Sequence, residues 1–271
     1  MSVVKIFDVG NHRIELLQHN ISTLAQRESK FNGQKLYHPF VTKRVEYTVK
    51  TSKGSRTSSD IVYDSEGKFV SPEAESDILN AISFEMKHDG SCGKIIWDGQ
   101  KFVPYARFDV RCKNGQFAQP PANSIPCEPM PSPDDAVHWP HFVPLYDKPN
   151  DYKWYIQAYE LMLTSKKLGD LQSSFTCEYM GKKFNWKACD SVGLDAAIVP
   201  HGLLTFQIPK DLRTYKGIKQ IMVDIPFIEG LVVYGTNNIW KIRREMFEYD
   251  GSKLQWPSNA NTTTSEMVMM I

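Results

Sequence analysis

The chain is compatible with an α+β fold, and three observations point that way. Strand-forming segments are separated by turn signals that read as antiparallel hairpins. A capped helix opens at Pro72. The stretch KDLRTYKGIKQIMVDI carries apolar residues at helical spacing.

Taken in order, residues 3–30 carry a mixed pattern that reads as a strand and then a helix. Arg44 to Tyr63 reads as strand, polar turn, strand, with a loose loop from Thr51 to Ser59 that is rich in Ser, Thr and Lys. Ser71 is placed to cap the helix that begins at Pro72, and Glu73 and Glu75 fall in its first turn. That helix leads to a strand bearing Lys87. KIIWD and KFVPYARF follow as strands joined by a tight turn at Asp98-Gly99. Residues 111–150 are dense in proline between Pro120 and Pro149, which predicts a long ordered loop or a lid rather than a central strand. Aromatic alternation predicts a strand from Trp154 to Leu163. After the amphipathic helix, IEGLVVYG and NIWKIRRE form a last hairpin around Gly235-Thr236-Asn237-Asn238. One domain over residues 1–256 is expected, with residues 1–35 as an extension of unread character and residues 257–271 as a mobile tail.

At 271 residues and 31.0 kDa, with 41% hydrophobic and 23% charged residues, the composition is that of a globular protein with a well-buried core. Neither a signal segment nor an apolar run of transmembrane length is visible, so no membrane partner is expected. Five cysteines without C-x-x-C pairing favour reduced thiols and an intracellular setting, cytoplasmic or nuclear. The sequons at Asn20 and Asn261 then carry no glycan. A net charge of +1 gives no general attraction to nucleic acid, so a polynucleotide would need a local patch such as Lys166-Lys167, Lys182-Lys183 or Arg243-Arg244. There is no P-loop and no G-x-G-x-x-G fingerprint, and His138 and His141 lack a third partner at zinc spacing.

The stretch FEMKHDGSCGKIIWDGQKFVPYARFDV places Lys87, Asp89 and Gly90 in K-x-D-G, with Arg107 further on. A lysine in a partly desolvated pocket can lose its proton and attack an electrophile, and an arginine fork nearby suits a phosphate. Downstream lie TCEYMG with Glu178, PHGLLTFQI with Phe206, FIEGLVVYG with Glu229-Gly230, and NNIWKIRREMF with Lys241 and Arg243. Lys241 and Arg243 alternate around Ile242, so on a strand both face one way.

This order of motifs resembles the covalent nucleotidyltransferase superfamily of ligases and capping enzymes. Within it, the chain is most similar to the eukaryotic, vertebrate RNA ligase-like family of 5′-to-3′ RNA ligases. YARFD at Arg107, WPHFVPL at 139–145 and PHG at 200–202 carry the closer likeness, which runs from about residue 36 to residue 250. The resemblance implies an ATP-grasp-like nucleotidyltransferase domain of two mainly antiparallel sheets with flanking helices. Too few residues follow Arg243 for an OB domain, which DNA ligases and capping enzymes carry.

The resemblance also implies roles. Lys87 is the nucleophile, and Asp89 poises it or meets the ribose. Met86, Arg107, Phe206, Lys241 and Arg243 contact the nucleotide. Either Glu178 or Glu160 holds the ribose hydroxyls, Phe206 stacks on adenine, and Glu229 carries Mg²⁺ or Mn²⁺. K-I-R stands where many ligases have K-x-K. The implied reaction uses ATP to join RNA 5′-phosphate and 3′-hydroxyl ends through a lysyl-AMP intermediate, in a monomer. Three alternatives remain open: a guanylyltransferase of the capping type, a protein-AMPylating enzyme, and an inactive RNA-end-binding protein.

Overall fold

A computed structural model describes residues 1–24, 31–52, 54–165, 171–184, 196–249 and 252–253. In chain order the elements are β1 (Ser2–Val9), β2 (His12–Gln18), α1 (Ile21–Leu24), β3 (Thr42–Thr51), β4 (Gly54–Tyr63), α2 (Pro72–Leu79), β5 (Ser83–Lys87), β6 (Ser91–Trp97) and β7 (Phe102–Lys113). There follow β8 (Gln116–Phe117), β9 (Ile125–Pro126), β10 (His138–Pro144), α3 (Lys153–Thr164), β11 (Phe175–Met180), β12 (Ala197–Pro200) and β13 (Leu204–Gln207). The last are α4 (Tyr215–Asp224), β14 (Gly230–Tyr234), β15 (Ile239–Arg243), β16 (Glu248–Tyr249) and β17 (Ser252–Lys253).

Two antiparallel sheets organise these elements, with few helices. The first runs β1-β2-β13-β5-β14-β15, and the second runs β12-β11-β6-β7-β10-β9, with β8 on β7. β3 with β4, and β16 with β17, form separate two-stranded ribbons. One face of the first sheet buries Phe84 and Met86 of β5, Leu231 and Val233 of β14, and Trp240 and Ile242 of β15. α2 and α4 supply Ala74, Ile78, Ile218, Ile221 and Met222 to that core. The second sheet packs Ile95, Ala106, Cys177 and Tyr179 against Ala158 and Tyr159 of α3. No described helix is long and apolar enough to cross a membrane.

The helix cap forms as its chemistry dictates: Ser71 is extended, and its hydroxyl accepts from the Ala74 N–H at 3.1 Å. Asp98-Gly99 turns the chain between β6 and β7, with Gly99 at φ +100. The last hairpin forms over β14 and β15.

Four expectations are corrected. Residues 2–18 form a hairpin, because Gly10-Asn11 is a two-residue turn with Gly10 at φ +56, and β2 pairs with β13. The N-terminus is therefore an edge of the first sheet rather than an extension. Of the loose loop expected from Thr51 to Ser59, Thr51 and residues 54–59 are instead paired strand, in register from Thr42↔Tyr63 out to Thr51↔Gly54. Trp154 to Leu163 is helix, since Tyr155, Ala158, Tyr159 and Met162 recur at helical spacing and pack together on the second sheet.

The fourth correction is β10, which lies inside its sheet despite Pro140 and Pro144. Cys127 N–H donates to the Pro140 carbonyl, so the side of Pro140 without an N–H faces the two-residue β9. The ladder to β7 loses nothing. The expected tail at 257–271 lies outside the described residues.

Candidate functional site between the two sheets

K-x-D-G is the passage of the chain from one sheet to the other. Lys87 is the last residue of β5 in the first sheet, and Ser91 is the first of β6 in the second. The crossing presses against β11 so closely that a Cβ on Gly90 would lie 2.3 Å from the Tyr179 carbonyl oxygen. Only glycine passes there.

The ladders of the first sheet set the rest. Gly230 of β14 pairs with both Lys87 of β5 and Arg243 of β15, and Val232 pairs with both Glu85 and Lys241. These residues lie on the face opposite the apolar core, in two rows that look toward the second sheet. A Cβ on Gly230 would lie 1.9 Å from the Ile242 carbonyl oxygen, so the glycine after Glu229 is what lets β14 and β15 pair. Glu229 then falls beside the lysine. Lys87 Nζ is 2.5 Å from Glu229 Oε2, and Arg243 Nε is 3.4 Å from Glu229 Oε1. The Arg243 Nε contact is an ion pair by distance only, because that nitrogen makes no aligned hydrogen bond. The other end of Arg243 binds Glu245.

Together these residues wall a cavity of about 340 Å³, within the range of small-molecule sites. Its walls carry five cations (Lys35, Lys87, Arg107, Lys241, Arg243) and four acids (Glu85, Asp89, Glu178, Glu229). Burial raises the pKa of Glu229, against the pull of Lys87 and Arg243. Burial and the charges of Lys87, Arg243, Lys35 and Arg107 bring Lys241 down to about 8. Arg107 reaches Asp109 with Nε at 3.1 Å from Oδ1. Glu178, on β11, receives His201 Nε2 at 3.2 Å on Oε2. The PHG segment therefore serves the same wall as Glu178. Cys92, opposite Glu178 in the ladder, also faces the cavity.

The structure thus brings together Lys87, Asp89, Arg107, Glu178, Glu229, Lys241 and Arg243. Met86 borders the cavity, but alternation along β5 turns it to the core face with Phe84. Two residues are not brought in. Glu160 is exposed on α3, which packs on the far face of the second sheet, so of these two acids only Glu178 lines the cavity. Phe206 is 3% exposed in the core of the first sheet, 6.4 Å from the ring of Phe7, and does not line the cavity.

The aromatics that do line it are Tyr234, at the end of β14 on the same face as Gly230 and Val232, and Phe31, set edge-on to His201 at 5.2 Å between ring centres. Phe31 opens a strap, residues 31–36, laid across the cavity. Gly33 of the strap has φ +79 and would place a Cβ 2.5 Å from Phe142 Cζ. Lys94 donates to Asn32 Oδ1 at 2.6 Å, and Lys35 Nζ binds Asp109 Oδ2 at 3.1 Å. No periodic pattern marks these residues in the sequence, because the strap belongs to no strand or helix.

His88 is 7% exposed and lines the cavity, with Nδ1 unpartnered; burial first, then His201 and Lys87, holds its pKa at about 3. It is neutral at working pH. His138 and His141 fall on β10, where His141 is buried with Nδ1 3.0 Å from Ser124 Oγ. Of the basic patches, Lys166-Lys167 lies outside the described residues.

Among the described residues no group of three or more His, Cys, Asp or Glu is gathered as a metal cage. Glu229 and Asp89 are the carboxylates beside Lys87. Mg²⁺ brought by a nucleotide needs only one or two carboxylates, since phosphates and water supply the other ligands, so this pair fits such an ion. Set against known proteins, the chain matches no family model, no curated protein and no solved structure.

Proposed function

We propose that the chain is a covalent nucleotidyltransferase that joins RNA ends, taking AMP from ATP onto Lys87. The observation that carries this reading is the Lys87–Glu229 contact at 2.5 Å inside a cavity whose cations, Arg107, Lys241 and Arg243, converge on the same space. A lysine paired to an acid must give up a proton before its nitrogen can attack. Glu229 Oε2 touches that nitrogen, and burial raises the affinity of Glu229 for the proton. Lys87 Nζ then attacks the α-phosphorus, the bond to pyrophosphate breaks, and the nitrogen sheds its second proton. Lys241 and Arg243, side by side on β15, neutralise charge on the α-phosphate and the departing pyrophosphate. Mg²⁺, when bound at Glu229 and Asp89, supplies further neutralisation of the phosphates. Glu178, oriented by His201, accepts from the ribose hydroxyls.

In the second step an oxygen of an RNA 5′-phosphate attacks the AMP phosphorus, and the N–P bond breaks. In the third, a 3′-hydroxyl attacks the adenylated 5′-phosphate, AMP leaves, and the strand is sealed. The test is incubation of the whole protein with ATP labelled at the α-phosphate. An acid-labile, alkali-stable label is expected, absent from Lys87→Ala and also from Lys87→Arg, whose guanidinium stays protonated. Label that persists in Lys87→Ala overturns the assignment. Label from GTP but not ATP transfers it to a capping enzyme. With pre-adenylated RNA, sealing without ATP should survive in Lys87→Ala.

A further inference from the structure

The β3–β4 ribbon belongs to neither sheet, and the cavity does not use it. Each strand has ten residues in register, and among the described residues they pair only with each other. At about 3.3 Å per residue, the outer eight pairs extend roughly 25 Å. An isolated two-stranded ribbon is marginal in water, which makes one of this length more than a connection.

Its root is fixed at the site. Tyr37 carbonyl accepts from the Lys241 N–H at 2.9 Å, and Tyr63 Oη, at the end of β4, accepts from the Arg243 N–H at 3.2 Å. The ribbon therefore rises from the strand that carries two of the cavity cations, Lys241 and Arg243. Lys43 Nζ ties the root to Glu248 at 3.1 Å.

The outer half has one kind of chemistry. From Tyr47 to Ser59 the sequence holds Lys50, Lys53 and Arg56, seven Ser or Thr hydroxyls, and no acid. In register, Lys50 stands opposite Ser55 and Arg56 opposite Val49, so the two described cations lie on opposite faces of the ribbon. Tyr47, Lys50 and Arg56 are exposed. Cations among hydroxyls are the groups that meet phosphate and sugar. The whole chain has a net charge of only +1, so this is a local concentration of charge. Exposed lysine and arginine also oppose strand addition at the ribbon edges, which disfavours pairing with a second copy.

We propose that the β3–β4 ribbon is an arm that grips the phosphodiester backbone of the RNA whose end enters the cavity. This rests on the RNA-joining reading for the identity of the strand.

The test uses the full chain and a 5′-phosphorylated single-stranded RNA, with affinity followed by fluorescence anisotropy across a salt series. Lys50→Ser with Arg56→Ser should weaken binding about tenfold and lower the salt slope by about 1.4, near 0.7 for each phosphate no longer neutralised. Glu46→Lys, which adds a cation and removes none, should strengthen binding and steepen the slope. Wild-type affinity and slope in the double variant, or no gain in Glu46→Lys, overturns the proposal. So does a ribbon-dependent affinity for anionic phospholipid vesicles in the absence of RNA affinity. Labelling of wild-type Lys87 by ATP is read on the same preparations. Its absence counts against the nucleotidyltransferase reading and leaves the ribbon's RNA affinity to stand or fall by itself.

Discussion

Asp77 fastens the start of the strand that carries Lys241 and Arg243, although it does not line the cavity. It lies on α2, fully buried, and accepts five hydrogen bonds, four from the turn between β14 and β15 and one from β15 itself. Oδ1 takes the Asn237 N–H at 2.9 Å and its side-chain amide at 3.3 Å. Oδ2 takes the Asn238 N–H at 3.0 Å, its amide at 3.3 Å and the Trp240 indole at 3.0 Å. The next residue after Trp240 is Lys241. Bonds to a charged acceptor contribute about 1.5–3 kcal/mol each but do not add, and deleting one member of a buried charged network costs about 3–5 kcal/mol. Asp77→Ala should therefore lose about 4 kcal/mol, a large share of the roughly 5–15 kcal/mol that holds a domain folded. At about 2–4 °C per kcal/mol for a chain of this size, the melting temperature should fall on the order of 10 °C.

Asp77→Asn separates charge from shape. It keeps one acceptor and turns an amide toward donors, which should cost about 2–3 kcal/mol at neutral pH. Burial acts to raise the pKa of Asp77, and the bonds from Asn237, Trp240 and Asn238 outweigh it and hold the pKa below the usual aspartate value. A carboxyl with a depressed folded-state pKa stabilises fully above its unfolded pKa of about 3.9. That stabilisation disappears as pH falls through the folded value. The gap between wild type and Asp77→Asn should thus be widest near pH 7 and narrow below pH ~4. Thermal and urea unfolding at several pH values measure it. Equal melting at pH 7, or a gap that stays constant into acid, would refute the reasoning.

Lys241 titrates at about 8, so its charge is present below that pH and fades above it. Labelling of Lys87 by ATP should slow above pH 8 in the wild type, while Lys241→Arg, which stays charged, should lose that alkaline decline. Gly90→Ala forces a Cβ to 2.3 Å from a backbone oxygen of β11, so it should melt well below wild type or fail to fold, as followed by circular dichroism. Phe206→Ala should destabilise by about 3–5 kcal/mol and leave nucleotide affinity in the folded fraction unchanged. Phe31→Ala should do both, because its ring is buried and also lines the cavity: the melting temperature should fall, and ATP binding by calorimetry should weaken about tenfold if the ring meets the base, an aromatic contact being worth about 1.4 kcal/mol.

Where local chemistry decided a feature, the sequence was legible. Ser71 before Pro72 has one good use, Asp98-Gly99 turns a hairpin, and alternation around Ile242 puts Lys241 and Arg243 on one face. Gly10-Asn11 was equally local, yet the expectation of a strand and then a helix over residues 3–30 passed over this turn signal of the β1–β2 hairpin. Other features depend on what lies opposite. The prolines of β10 are tolerated because the side without an N–H meets a two-residue strand, and nothing in HWPHFVP states that neighbour. Trp154 and Tyr155 gave an impression of alternation, but Ala158, Tyr159 and Met162 continue the pattern at helical spacing.

The same distinction divides the site. Lys87, Asp89, Glu178, Glu229, Lys241 and Arg243 sit where strand ends and ladders fix them, so their order along the chain carried their convergence. Phe206 looks like a ligand residue by type and order, yet on β13 it turns to the core beside Phe7. An aromatic on a strand has two faces to choose from, and spacing alone does not say which sheet face is covered by apolar packing and which by a cavity. Phe31 has no such period at all. Gly33 lets its strap lie against Phe142, and Lys94 and Asp109 fasten it from the second sheet. Phe31 and Lys35 on the strap are therefore set by long-range packing, whereas Tyr234, Lys87, Lys241 and Arg243 are set by the register of neighbouring strands. A change in the strap should alter which ligand is held, and a change in the β5–β14–β15 ladder should alter what is done to it.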